Sequence, residues 1–228
     1  AAGGSARLFW ENGLFRVGPE SATADPGPTA YRKGGPLTIT DANLLLGRLV
    51  PEFFPRIFGP NEDESLDLEA TAKKFDELTE IINKDMGTQM GRDEVAFGFL
   101  KVANESMARP IRAVTENKGH VVSKHRLVTF GGAGGQHAVA VAESLGINEV
   151  LAHRYSSILS AYGIFLADVV EENQEACFLL LNNDENVRIL KSKLAQLEVK
   201  SEEALISQGF DGNHLSLIHI SEPTRHAQ

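Results

Sequence analysis

The stretch "LVTFGGAGGQHAVAVAESLG", Leu127 to Gly146, decides the fold class of this chain. An apolar run, Leu127 to Phe130, feeds a glycine-rich loop, Gly131 to Gly135, and then an alanine-rich run that stops at Gly146. "HRLVTF" reads as a strand, Gln136 to Leu145 as a helix, and "NEVLAH", Asn148 to His153, as the next strand. Strand, short helix, strand is a βαβ unit, which calls for parallel strands and a right-handed crossover. Glycines between strand and helix expose backbone N–H groups at the positive helix end. Without Cβ atoms they let flat or anionic ligand groups approach the main chain closely. That suits a phosphate, an adenine face or a ribose edge. The spacing is not Gly-x-Gly-x-x-Gly and no Lys-Ser/Thr pair follows, so this is no Walker loop. The competing reading is a tight βα turn without a ligand.

Outward from the loop, the N-terminal stretch up to Gly35 is rich in Gly and Pro. Asn12-Gly13 between two apolar-aromatic runs predicts a hairpin over Arg7 to Val17. "DPGP", Asp25 to Pro28, reads as a rigid loop. "TITDANLLLGRL" begins a helix, with Thr40 as the expected N-cap and Asp41 at the positive helix end. After a Pro-rich linker, Pro51 to Pro60, comes a helix that Asp67 can cap. Its expected apolar stripe is Leu68, Ala72, Phe75, Leu78 and Ile82. A second long helix starts at Arg92, with Val95, Phe99, Val102 and Met107 inward, a kink expected at Pro110 and a stop at Gly119. Gly98 inside that helix costs about 1 kcal/mol against Ala, so it predicts close approach by a neighbour. Beyond the βαβ unit, "SSILSAYGIFLADV" predicts a helix and "EACFLLL", Glu175 to Leu181, a strand. A final amphipathic helix presents Val187, Leu190, Leu194 and Leu197 on one face.

Composition excludes some functions. The chain has 228 residues, 42% hydrophobic and 23% charged, with a net charge of -9, as in an ordinary globular protein. The negative balance leaves no basic face for nucleic acid, and no run is long and apolar enough to span a membrane. A single cysteine, Cys177, excludes an internal disulfide framework and suits a reducing compartment; its apolar surroundings suggest core. His120, His125 and His153 lack metal-ligand spacing, and Ser157 and Ser160 lie in no nucleophile-elbow context. Glu62-Asp63-Glu64 and Glu171-Glu172 read as solvated surface. His137 follows the loop directly and could meet a phosphate or a metal; its default role is a structural hydrogen bond. The sequence opens "AAGGSARLFW" without Met, and "LSLIHISEPTR", Leu215 to Arg225, matches the translation of a sequencing-library adaptor. The expectation is an internal piece of a longer protein with a non-native tail, against the alternative of a native Ser/His-rich tail.

Four stretches in order, "GPESATADPGPTAYRKGGPLTITDANLLLGRL", "VANESMARPIRAVTENKGH", "FGGAGGQHA" and "RYSSILSAYGIFLADV", resemble the hydantoinase A / 5-oxoprolinase family. The resemblance runs from Ala1 to about Phe210. It implies an α/β chain that is part of an actin-like ATPase (ribonuclease-H-like) fold, followed by a C-terminal helical and strand segment. Residues 1–172 would be the C-terminal part of the ATPase-like domain, 173–214 the start of the following domain, and 215–228 the non-native tail. In such ATPases a late strand–Gly-Gly–helix loop packs on adenosine, and earlier loops hold the phosphates and Mg2+. By that likeness Gly131, Gly132, Ala133, Gly134 and Gly135 are cofactor-binding and touch ATP. The helix around Gly98 to Met107 corresponds to the connecting helix between the two halves. No catalytic residue and no metal ligand is assigned within the chain.

The implied reaction is cytosolic, ATP-driven opening of the 5-oxoproline lactam to L-glutamate in glutathione turnover. Phosphorylating the amide oxygen of a stable five-membered lactam creates a better electrophile for water, and neutralising that phosphoryl group is the protein's main task. The implied partners are ATP and 5-oxoproline, within a homo-oligomer carrying a hydantoinase B-type half fused downstream. Two alternatives stay open: another hydantoinase A-type ATP-dependent hydrolase or carboxylase subunit, and a non-catalytic nucleotide-binding module. With the phosphate and Mg2+ loops expected upstream, the isolated chain is expected to be inactive.

Overall fold

Asn12 and Gly13 set the first element. β1 (Ala6–Glu11) and β2 (Leu14–Ser21) pair antiparallel, with Glu11 opposite Leu14 and Trp10 opposite Phe15. The two loop residues have φ of 53° and 74°, the pair of positive values that a type I′ turn demands. The computed structural model describes residues 3–210. The chain forms two units, Ala1–Phe165 and a second one from Leu166 onward.

In the first unit, α1 (Ile39–Leu45) is capped by Thr38, not by Thr40 as expected. The reason is Asp41. Its carboxylate accepts from Thr38 N at 2.8 Å and Thr38 Oγ1 at 2.9 Å, so the helix starts where Asp41 reaches back to Thr38. The same carboxylate accepts from Ala30 N at 2.8 Å and Thr29 N at 3.2 Å. Burial pushes the Asp41 carboxyl above its ordinary pKa, and the hydrogen bonds from Ala30, Thr38 and Thr29 oppose that rise. Asp41 thus ties the 29–30 turn to the helix start.

α2 (Leu68–Met86) is capped by Asp67, which accepts from Ala70 N at 2.9 Å, as expected. Its buried face is Thr71, Phe75, Thr79 and Ile82; Leu68 is exposed. The face is turned from the apolar count because the two threonines satisfy themselves. Thr71 Oγ1 donates to Asp67 O and Thr79 Oγ1 to Phe75 O, each at 2.7 Å, so burying them leaves no orphan donor.

α3 (Arg92–Asn117) continues past Pro110 as one helix. Val95 and Phe99 are buried as expected, whereas Val102 and Met107 are half-buried and Ala96, Leu100, Ala103 and Ala108 lie inside. A Cβ on Gly98 would meet the Phe15 ring at 3.2–3.4 Å. Phe15 in turn meets Phe99 edge-on, with centroids 4.8 Å apart. Hairpin, α1, α2 and the first half of α3 enclose one core, which includes Leu8, Ile39, Phe75, Ile82 and Phe99.

The predicted βαβ unit is present. β3 (Leu127–Thr129) and β4 (Val150–Ala152) pair in parallel, Val128 opposite Leu151, and α4 (Gly135–Leu145) joins them. Val141, Ala142 and Leu145 of α4 form a second core with Ala108 of α3 and Ile147. A short 3-10 turn, Ser156–Ile158, leads into α5 (Leu159–Leu166).

In the second unit, α6 (Asp184–Ser207) is capped by Asn183, whose side chain accepts from Asn186 N at 2.8 Å. Val187, Leu190, Leu194 and Leu197 are half-buried. Glu175 to Leu181 forms no strand, contrary to the sequence expectation. A strand is stable only with a ladder partner, and none pairs with this stretch among the described residues. Cys177 there is exposed, which corrects the expectation of a core position. The Leu215–Gln228 tail lies outside the described residues.

Candidate functional site

The glycine loop begins where β3 ends. Gly131 has φ of 85°, and its N–H donates to Ser156 O at 2.8 Å, which ties the loop to the turn after β4. The positive φ accounts for glycine there. Gly134 has a different cause: a Cβ would lie 2.6 Å from Phe130 O and 2.8 Å from Thr129 Oγ1. Gly132 and Gly135 have neither cause. Their φ values are not positive, both are exposed, and a Cβ on either would meet nothing within 4 Å among the described residues. Packing within the chain therefore explains two of the four glycines and leaves two facing open space.

α4 starts beside this opening with no side-chain cap and no acidic residue in its first turn. Gln136 N–H donates to Ala133 O and His137 N–H to Gly134 O, each at 3.2 Å, so what this helix end offers a negative or polar group is its dipole. Ala133 faces Gly4 of the N-terminal "GGS" turn: a Cβ on Gly4 would lie 3.9 Å from Ala133 Cβ. Gly4 O accepts from Thr40 N at 2.8 Å and Thr40 Oγ1 at 3.0 Å. The structure thus brings two glycine-rich stretches, far apart in sequence, against the start of α1.

His137 is buried behind the loop. Its Nδ1 lies 2.8 Å from Asn104 Oδ1, and its Nε2 lies 3.4 Å from Asn43 Nδ2. Arg48 Nη1 donates to Gln136 O at 3.3 Å. Burial, and then the Arg48 charge, lower the imidazole pKa below its ordinary value. The ring is held by hydrogen bonds, which agrees with the structural role expected for it. Asn43, Asn104 and Arg48 carried no sequence signal, since the contacts span 94 and 33 positions and match no motif.

The acidic candidates have partners of their own. Glu62 pairs with Lys33 and Glu64 with Arg32, while Glu171 accepts from Asn173. Among the described residues no group of three or more His, Cys, Asp or Glu is placed to hold a metal, and no helix is long and apolar enough to cross a membrane. His153, Tyr155 and Tyr162 form an aromatic cluster after β4, with His153 and Tyr162 stacked at 5.4 Å.

These features define a mixed α/β chain with a glycine-opened βα turn suited to a polar or flat ligand. The model of the family "Hydantoinase/oxoprolinase" matches residues 1–173, and the chain belongs to that family. A Saccharomyces cerevisiae protein named 5-oxoprolinase is 69% identical over 217 residues, which is 95% of this chain and 17% of that protein. The chain spans about a sixth of the length of the curated relatives it matches. Among solved structures, the ATP-dependent caprolactamase from Pseudomonas jessenii matches with a TM-score of 0.59 and 30% identity, covering 91% of this chain and 29% of that one. A nucleotide-free acetone carboxylase matches with a TM-score of 0.68 over 93% of this chain and 30% of its own; at 21% identity it shows the shared fold.

Proposed function

We propose that this chain supplies the adenosine side of the nucleotide site in an ATP-dependent 5-oxoprolinase, which opens 5-oxo-L-proline to L-glutamate as ATP is cleaved to ADP and phosphate. The observation that carries this reading is the open space over Gly132 and Gly135 beside the uncapped start of α4. Bare backbone at such a place lets a nucleoside lie against the main chain. The 69% identity to a named 5-oxoprolinase, against 30% to a caprolactamase, supports the five-membered lactam as substrate.

When bound, ATP supplies the phosphoryl group that activates the lactam oxygen. The role assigned to this chain is positional. Gly131 N–H on Ser156 O and the close approach of Gly134 to Phe130 O fix the loop. Gly132 and Gly135 leave the backbone surface bare at the start of α4. The phosphate and Mg2+ contacts are assigned to the rest of the longer protein. In this reading residues 1–172 belong to an actin-like ATPase domain and 173–214 open the next one, within a cytosolic homo-oligomer of glutathione metabolism that carries a hydantoinase B-type half.

A Cβ on Gly132 meets nothing within 4 Å among the described residues, so for Gly132→Val in the full-length protein stability is expected to stay within about 0.5 kcal/mol. Calorimetric ATP affinity is expected to fall at least about tenfold, the equivalent of ~1.4 kcal/mol. Unchanged affinity overturns the adenosine assignment. The isolated chain is expected to show negligible ATP turnover with 5-oxoproline, and robust turnover would refute the division of the site.

A further inference from the structure

His137 sits in the first turn of α4, immediately behind the loop, with 3% of its surface exposed. Its two ring nitrogens face two other helices. Asn104 on α3 presents an acceptor, Oδ1, so Nδ1 carries the proton; Asn43 on α1 presents a donor, Nδ2, so Nε2 offers its lone pair. The neutral ring therefore uses both of its hydrogen-bonding functions. It bridges the start of α4 to α1 and α3. Among the described residues Asn43 Oδ1 is buried with no hydrogen-bond partner, so the contact with the imidazole places the amide. A second proton, on Nε2, would point at that NH2 group and would require the Asn43 amide to turn over.

The charges around the bridge favour the neutral ring. Arg48 faces it from the chain after α1, anchored on Gln136 O. Asp41, also on α1, is turned toward Thr29, Ala30 and Thr38. Glu105, next to Asn104 on α3, is exposed and occupied by Arg112 and Ser144. Glu143 on α4 is exposed, two turns further along. No carboxylate among these is turned to the imidazole to stabilise a charged form.

We propose that His137 is a positioning residue for the nucleotide loop: the Asn43–His137–Asn104 bridge sets where the glycines and the start of α4 stand, and nucleotide affinity falls when the ring takes up a second proton. This rests on the reading that the loop faces the nucleoside. The sign follows from the lowered pKa. The neutral bridge is fully present above the ordinary imidazole value of about 6.5 and is lost as pH falls through the lower folded value.

The experiment is calorimetric titration of the full-length protein with ATP between about pH 5 and 8. Wild type is compared with His137→Gln, His137→Ala and Gly132→Val. The ligand's own titration is common to all four, so the differences between proteins carry the information. Glutamine keeps one donor and one acceptor and does not titrate; it is expected to bind near wild-type strength at pH 8 and to lack the wild type's extra loss of affinity in acid. Alanine removes both hydrogen bonds and is expected to weaken binding about tenfold at pH 8. If His137→Gln shows the same acid loss as wild type, the bridge does not govern the site. Equal ATP affinity in His137→Ala alongside weakened Gly132→Val also overturns the bridge while sparing the adenosine reading. Unchanged Gly132→Val overturns both. Should His137→Ala fail to fold, the wild-type and His137→Gln profiles decide.

Discussion

The two cores that share α3 are built differently. Around its first half, the hairpin, α1 and α2 close over Phe75, Phe99, Ile39 and Ile82, all fully buried. Around its second half, α4 buries one face, but the strands it connects stay open. Val128 is 49% and Leu151 56% exposed, and Phe165 of α5 is 81% exposed. An antiparallel hairpin needs one local turn and one covered face. Parallel strands are ordinarily buried on both faces and belong to larger sheets. The first core is therefore complete within this stretch of sequence, and the second leaves apolar strand surface uncovered in it. The candidate site lies on the less enclosed side, where backbone remains open to a ligand.

The first core is tested most severely at Phe99. Phe99→Ala removes a fully buried ring that packs on Phe15, and it is expected to cost about 3–5 kcal/mol in denaturant unfolding of this chain. A cost below about 1 kcal/mol would show that the first core is not the stable one. Gly98→Leu sharpens the same point from the other direction. The Phe15 ring, 3.2 Å from the added Cβ, must move, and overpacking of about 1–3 kcal/mol is expected. An unaltered midpoint would mean that the hairpin yields freely. At the other end of the scale, Leu151→Ser on the exposed strand is expected to change stability by no more than about 0.5 kcal/mol in this chain. A loss of several times that value would place Leu151 inside a core.

Much of this was legible because the signals are local. Asn12-Gly13 specified the hairpin turn, Asp67 the start of α2, and the apolar run before the glycines a strand feeding a helix. The errors arose where local pattern met tertiary demand. Counting apolar residues put Leu68 in the stripe of α2, whereas Thr71 and Thr79 turn inward because their hydroxyls bond to the preceding turn. The run Glu175 to Leu181 has strand composition, but composition supplies no ladder partner. Thr40 has the residue type of a cap, but Asp41 accepts from Thr38 and from the distant Ala30 and Thr29, which starts the helix earlier.

The candidate site divides along the same line. That four glycines open a βα turn follows from local sequence, since backbone torsions and helix starts depend on neighbours a few positions away. Which glycines serve the fold and which stand bare, and that His137 bridges Asn43 and Asn104, is set by the packing of the helices. Those outcomes depend on contacts between residues up to 94 positions apart. Such contacts exist only once the helices have packed, and no residue-by-residue preference encodes them.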